Sequence, residues 1–333
     1  VSSAVWPKRS ASSFPNPEKA SIMSLDPVLQ QLLDQIPTVP PGPVDYPALR
    51  QISATFIPML APPETLSPIG SMEELTIDGA GGPIPLRIYR PLGEAAGIVH
   101  YIHGGGWALG DLLSVDHTAR RFCNELSMVI VTSTYRLAPE NPFPAGFDDS
   151  LLAARWVLAH RVDLGGKGLP TAIAGDSAGG NFAAAIALAL RDAGGPTFDV
   201  QALLYPAVDL REGADYPSRS RNADPTLNAD QIDTYIDDYA GGSDLSDPRI
   251  SPLAADSVAD VPPALIVVQS VDPLRDEAVA YADRLRDAGV RVELMEFGTM
   301  THGFVHLSAL VPAAAAATAQ VTERLRALMT TVG

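Results

Sequence analysis

The sequence predicts an α/β protein, a mostly parallel central sheet flanked by helices and topped by a helical cap. Three observations carry this. From Gly97 onward, short apolar runs alternate with longer helical patterns, which is how a parallel sheet covered on both faces is written. At Gly175-Asp-Ser-Ala-Gly179 an apolar run passes directly into an apolar helix. Between about Val208 and Pro263 the alternation stops, in a stretch rich in Asp, Pro and Ser with no apolar strand. A loop of that length inside a compact domain needs a reason: a cap over a site supplies one, and a solvated excursion far from the site is the alternative.

The elements follow in order. Val1 to Ala20 is Ser- and Pro-rich and lacks the apolar stretch of a signal peptide. The opening residue is Val1 rather than Met, which suggests a processed or appended end. Asp26-Pro27 followed by Val28, Leu29, Leu32, Leu33 and Ile36 predicts a capped amphipathic helix, and a Pro-rich linker runs from Pro37 to Pro47. Leu49, Ile52, Phe56 and Leu60 predict a second helix. Both carry apolar stripes that need a partner, and both are expected to join the cap. Glu73 to Asp78 and Pro85 to Arg90 predict an antiparallel pair joined by a turn at Gly79 to Gly82. Strands are expected at Gly97–Ile102, Pro170–Ala174, Val200–Pro206, Ala264–Ser270 and Val290–Phe297. Helices are expected at Ala178–Leu190, around Ile232, Tyr235, Ile236 and Tyr239, and from Ala309 to Thr330. The division is thus residues 1–65 for N-terminal helices contributing to the cap, 66–207 and 264–333 for the two parts of the core, and 208–263 for the cap insertion.

Composition narrows the partners. The chain has 333 residues and a net charge of −16, which argues against nucleic acid and weakly against anionic membrane surfaces. No run of eighteen apolar residues predicts a membrane span. The single cysteine, Cys123, fits a reducing cytoplasm. Phe122 and Leu126 beside it suggest a buried helix face and an inert thiol.

The chemistry centres on Ser177. A sharp turn from strand to helix lifts its hydroxyl above the sheet end, and Gly175 and Gly179 let the two backbones pass closely. The helix N-terminus beneath supplies positive dipole where an oxyanion would form. An N-cap role is the bland alternative for this serine. A serine nucleophile needs a base, and the base an orienter. Asp272 follows the strand 264–270 and His302 follows the strand 290–297, so both arrive at strand ends in the order Ser, acid, His. Asp276 and Glu277 compete as acids but read as first-turn caps. Among the other histidines, His100 lies in a strand, His117 and His160 follow or lie in helical patterns, and His306 is four residues on. His103 opens His103-Gly-Gly-Gly-Trp107 and is expected to brace that loop. A zinc site from His100 and His103 lacks further ligands. The glycine run exposes backbone N–H groups, which with the N–H of Ala178 suits an oxyanion hole. Trp107 beside it is expected to wall the substrate pocket, with Phe304 a second candidate. Asp176 is expected to support the elbow, and Arg136 and Glu140 to hold one turn together.

His103-Gly-Gly-Gly-Trp107, Tyr135-Arg-Leu-Ala-Pro-Glu140, Gly175-Asp-Ser-Ala-Gly-Gly180, Asp272-Pro-Leu-Arg-Asp-Glu277 and His302-Gly-Phe304 together resemble the hormone-sensitive lipase family of esterases, family IV among bacterial ones. The Gly-Asp-Ser-Ala-Gly form points to the subgroup named for it. The resemblance runs from about Asp26 to the last helix. It implies an α/β-hydrolase core with a helical cap and a carboxylic ester hydrolase needing no metal or organic cofactor. It also implies Gly105 and Gly106 as oxyanion donors, and a homodimer formed by pairing the strand 290–297 across a two-fold axis. Short- to medium-chain esters are the expected substrates, since Trp107 and the cap bound the pocket and the Asp-rich insertion shows no apolar lid. An amidase or lactonase on the same triad stays open. A non-catalytic receptor is disfavoured because all three triad residues are present. A cofactor-binding protein is weaker still, because the strand-to-helix turn carries a serine in place of a phosphate fingerprint.

Overall fold

The computed structural model describes residues 24–35, 44–221 and 223–331. In chain order the elements are α1 (Pro27–Leu33), α2 (Tyr46–Leu60), β1 (Ser71–Gly79), β2 (Gly82–Arg90), β3 (Ile98–Ile102), α3 (Asp116–Leu126), β4 (Val129–Ser133), α4 (Ala145–Ala159), α5 (Arg161–Leu164) and β5 (Thr171–Asp176). They continue with α6 (Ala178–Asp192), β6 (Val200–Leu204), α7 (Pro217–Arg221), α8 (Ala229–Ala240), β7 (Ala264–Gln269), α9 (Arg275–Asp287), β8 (Val292–Phe297) and α10 (Pro312–Thr330). The eight strands form one sheet in the order β1-β2-β4-β3-β5-β6-β7-β8. β2 runs against both its neighbours, and the other pairings are parallel.

The central strands are buried along their whole length, which is why they read as unbroken apolar runs without alternation. Successive side chains still point to opposite faces. On β3, Ile98 and Ile102 enter a core shared with α4, α6 and α9. Val99 and Tyr101 enter a second core shared with α3 and α10. Every parallel strand therefore delivers its carboxyl end to the same rim, where α/β sheets bind ligands. Among the described residues no helix is long and apolar enough to cross a membrane.

Several expectations shift. The first twenty residues and most of the expected linker lie outside the described residues. The linker's last residues belong to α2, which starts at Tyr46 because Asp45 caps the N–H of Ala48 and Pro47 tolerates the first turn. α1 departs from the expected cap. Its Leu29 is fully buried in the core of α3 and α10, and the N–H of Asp26 bonds to the carbonyl of Thr299 at 3.0 Å. α2 does meet the insertion, where the Tyr46 hydroxyl donates to Asp238 on α8. Among the described residues the insertion holds two α-helices where one helix was expected, since α7 (Pro-Ser-Arg-Ser-Arg) has no apolar period to read. Its later part is core: Ile250, Leu253, Val258 and Val261 pack beneath α6 and α9.

Candidate active site

Ser177 sits between β5 and α6 with φ 53° and ψ −120°, a backbone region costly for a residue with a Cβ. Two bonds hold it there: its N–H donates to the Leu204 carbonyl at 2.9 Å, and its carbonyl accepts from Asn181 at 3.0 Å. A Cβ on Gly175 would strike the Gly179 carbonyl, and one on Gly179 would strike the carbonyls of Ile102 and His103. The close approach read from the two glycines is present.

The Ser177 hydroxyl lies 2.9 Å from His302 Nε2, and His302 Nδ1 lies 2.8 Å from Asp272 Oδ2. A carboxylate only accepts, so Nδ1 carries the proton and Nε2 is free to accept from serine. Asp272 is fully buried, and its other oxygen accepts the N–H of Leu274 at 2.8 Å. Burial works against a charged His302 ring. The charge and hydrogen bond of Asp272, with Asp224 and Asp176 behind them, outweigh it and hold the imidazole pKa above its ordinary value. The ring edge of Tyr205 closes one side, with centroids 4.7 Å apart.

Asp224 had no signal in the sequence beyond a turn-forming Asp-Pro-Thr. In the fold it accepts the backbone N–H of His302 at 2.6 Å and the Thr301 hydroxyl at 2.7 Å. The insertion thus grips the segment that carries the histidine. Glu277 is no helix cap. It is fully buried, accepts the N–H groups of Val208 and Asp209, and pairs with Arg219 at 2.6 Å, so it anchors the start of the insertion.

The glycine loop lies over Ser177. Gly105 and Gly106 adopt φ 115° and 58°, and the Gly105 carbonyl turns away to accept from Ala108 and Leu109. Among the described residues, the N–H groups of Gly105, Gly106 and Ala178 donate to no protein acceptor. His103 braces the loop: its Nδ1 bonds the Gly104 carbonyl at 2.8 Å and its ring stacks on Tyr135 at 4.4 Å. Trp107 also has positive φ, 58°. It borders the cavity but is largely committed elsewhere, stacked on Tyr239 of α8 at 4.5 Å and donating to Asn181. Phe304 does not line the cavity. It is fully buried against Tyr205 and Phe297, because the 3-10 turn after Gly303 points it into the core. Arg136 and Glu140 part company: Arg136 pairs with Asp149, and Glu140 pairs with Arg50 of α2. Arg50 also donates to the carbonyls of Ala108 and Ala138, so α2 is pinned to the glycine loop. Cys123 is buried, and desolvation pushes its thiol up to about 12, which leaves it inert.

Ser177, His302 and the glycine loop open on a cavity of about 340 Å³. The insertion and its surroundings contribute apolar wall, chiefly Leu227, Ile232, Tyr235, Ile236 and Leu274. Polar wall comes from Ser114, Thr118 and His306. Among the described residues no cluster of three or more His, Cys, Asp or Glu stands where it would hold a metal ion.

A protein-family profile described as an alpha/beta hydrolase fold matches residues 99–306. The chain belongs to the hormone-sensitive lipase family of α/β hydrolases. The carboxylesterase NlhH of Mycobacterium tuberculosis is 42% identical over 306 residues, which cover 88% of this chain and 93% of that protein. The esterase LipI of the same organism is 38% identical, covering 92% of this chain and 96% of its own length. Among solved structures, a hyperthermophilic esterase from the archaeon Pyrobaculum calidifontis superposes with a TM-score of 0.85 at 37% identity, covering 93% of this chain and all of that one.

Proposed function

We propose that this hormone-sensitive lipase family member hydrolyses short- to medium-chain carboxylic esters through an acyl-enzyme on Ser177. Carboxylic ester hydrolysis is the activity of the family, and the Gly175–Gly179 sequence supports the subgroup named for it. The observation that carries the mechanism is the unbroken chain from Ser177 Oγ to His302 to Asp272, 2.9 and 2.8 Å, with Ser177 and His302 lining the same cavity as Gly105 and Gly106. In this reading His302 takes the serine proton and returns it to the leaving alcohol, and Asp272 holds the tautomer and the charged ring. The N–H groups of Gly105, Gly106 and Ala178 hold the oxyanion, and water then releases the acid. Acyl length is limited by a cavity near the lower end of the roughly 300–1,000 Å³ typical of ligand pockets. α2 and α8 form the cap in this reading, with the rest of the N-terminal region and the later insertion serving the core.

The test is a panel of aryl esters from two to sixteen acyl carbons, with matched amides and lactones. Short and medium esters should dominate. Preference for emulsified long-chain substrates would overturn the length assignment, and preference for amides or lactones would overturn the ester assignment. A homodimer through β8 has one supporting feature, its place at the sheet's open edge, where backbone groups await a partner. Light scattering of the wild type and of a Leu294→Pro variant should show a dimer lost in the second. A monomeric wild type would overturn it.

A further inference from the structure

His306 has no role in the mechanism above, yet it stands beside the elbow. Its Nε2 lies 2.9 Å from Asp176 Oδ2, and its Nδ1 lies 3.1 Å from the Thr118 hydroxyl on α3. Asp176, the residue before Ser177, is buried. Its other oxygen accepts the Tyr101 hydroxyl at 2.9 Å and the N–H of Gly104 at 3.1 Å. Gly104 leads directly into the two glycines read as oxyanion donors. The contact between loop and elbow has no slack. A Cβ on Gly104 would lie 2.6 Å from Asp176 Oδ2 and 3.1 Å from Ser177 Cβ.

We propose that His306 is a positioning residue for the oxyanion loop, acting through Asp176. The proposal rests on the reading of Ser177 as nucleophile and of Gly105 and Gly106 as donors. Two donors fix Asp176 Oδ1, and His306 supplies the side-chain donor on Oδ2. Without it a buried carboxylate oxygen is left unsatisfied, a costly state that the group relieves by turning. Any turn is transmitted to the Gly104 peptide and so to the N–H directions that follow it. The imidazole also draws charge away from a carboxylate that would otherwise oppose an oxyanion forming beside it. Because His306 is itself held by Thr118, the chain of bonds runs from α3 through the imidazole and carboxylate to the loop. Fully satisfied networks of this kind fix geometry beyond what pairwise bonds suggest.

The experiment is steady-state kinetics on a short aryl ester with the full chain, comparing wild type, His306→Ala, His306→Gln, Asp176→Asn, the His306→Ala/Asp176→Asn double variant and Ser177→Ala, each with a thermal melt. His306→Ala should lower kcat about tenfold, below the roughly 10²- to 10³-fold cost of losing an oxyanion donor outright, with KM little changed. His306→Gln, whose amide restores a donor, should recover most of that loss. The double variant should be no slower than Asp176→Asn, since the histidine acts through the carboxylate. Wild-type kcat in His306→Ala overturns the proposal. So does a loss confined to KM, which would make the imidazole a substrate contact, or two effects that multiply in full. If Asp176→Asn fails to fold, the contrast between the Ala and Gln variants decides alone. Activity surviving in Ser177→Ala would instead overturn the underlying mechanism.

Discussion

At the scale of single residues, the chemistry depends on a few atoms held against their preferences. Ser177→Ala should lower kcat on the order of 10⁶-fold, by analogy with other serine triads. His302→Ala should be about as severe and Asp272→Asn milder, and the losses should not add. Turnover in purified, folded Ser177→Ala above a tenth of wild type would refute the nucleophile. The pH profile follows from His302. Its carboxylate neighbours hold the ring pKa above the ordinary value of about 6.5, and the base must be neutral to act. kcat/KM should therefore rise on an acid limb displaced upward and level off above it. Asp224→Asn should move that limb down, since one carboxylate that favours the charged ring is gone. It should also lower kcat by loosening the backbone of His302. A limb that stays in place would remove Asp224 from the electrostatics of the base. That Ser177, Asp272 and His302 would meet was legible in the sequence because each follows an apolar run at a strand end. Asp224 and His306 were not, because they act on partners 78 and 130 positions away and no local pattern encodes that.

At the scale of elements, the glycine loop and α8 are fitted to each other. Gly106 has φ 58°, and a Cβ there would lie 2.6 Å from the Tyr235 ring. Gly106→Ala should thus cost activity out of proportion to stability, read as a large fall in kcat with a small shift in Tm. Tyr235→Ala should enlarge the cavity beside the same glycine and move the preferred acyl length upward, which the ester panel measures directly. An unchanged optimum would mean that the acyl chain lies along another wall. The two N-terminal helices divide their labour. Removing α1 deletes the fully buried Leu29, and truncating one such leucine alone costs about 2–5 kcal/mol. A chain starting at residue 44 should melt lower with KM nearly intact, whereas one lacking α2 should lose KM and selectivity. If the first truncation altered selectivity more than stability, α1 would belong to the cap after all. Periodicity located both helices but said nothing of which apolar surface each would find. It missed α7 altogether, since a short Pro-Ser-Arg helix held by Asp276 and Glu277 has no stripe.

At the scale of the whole molecule, one sheet carries Ser177, Asp272, His302 and the glycine loop to one rim, and the alternation of strand and helix made that architecture readable from the sequence. The insertion was the least readable part, because polar segments bury themselves through specific partners and leave no period. Its partners are what give it reach: Asp224 holds the histidine, Glu277 holds its start, and Tyr239 stacks on Trp107 beside Gly105 and Gly106. The roof and the engine are therefore not interchangeable parts. A loop-swapped chimera that imports a relative's selectivity by exchanging residues 208–263 should lose turnover even on the smallest ester, unless the donor segment brings a carboxylate to the place of Asp224. Selection for new substrates can proceed instead by point changes along α8, where Ile232, Tyr235 and Ile236 face the cavity without touching the base. Evolvability in this chain is thus fenced: wide along one helix, and closed at the short turn that precedes it.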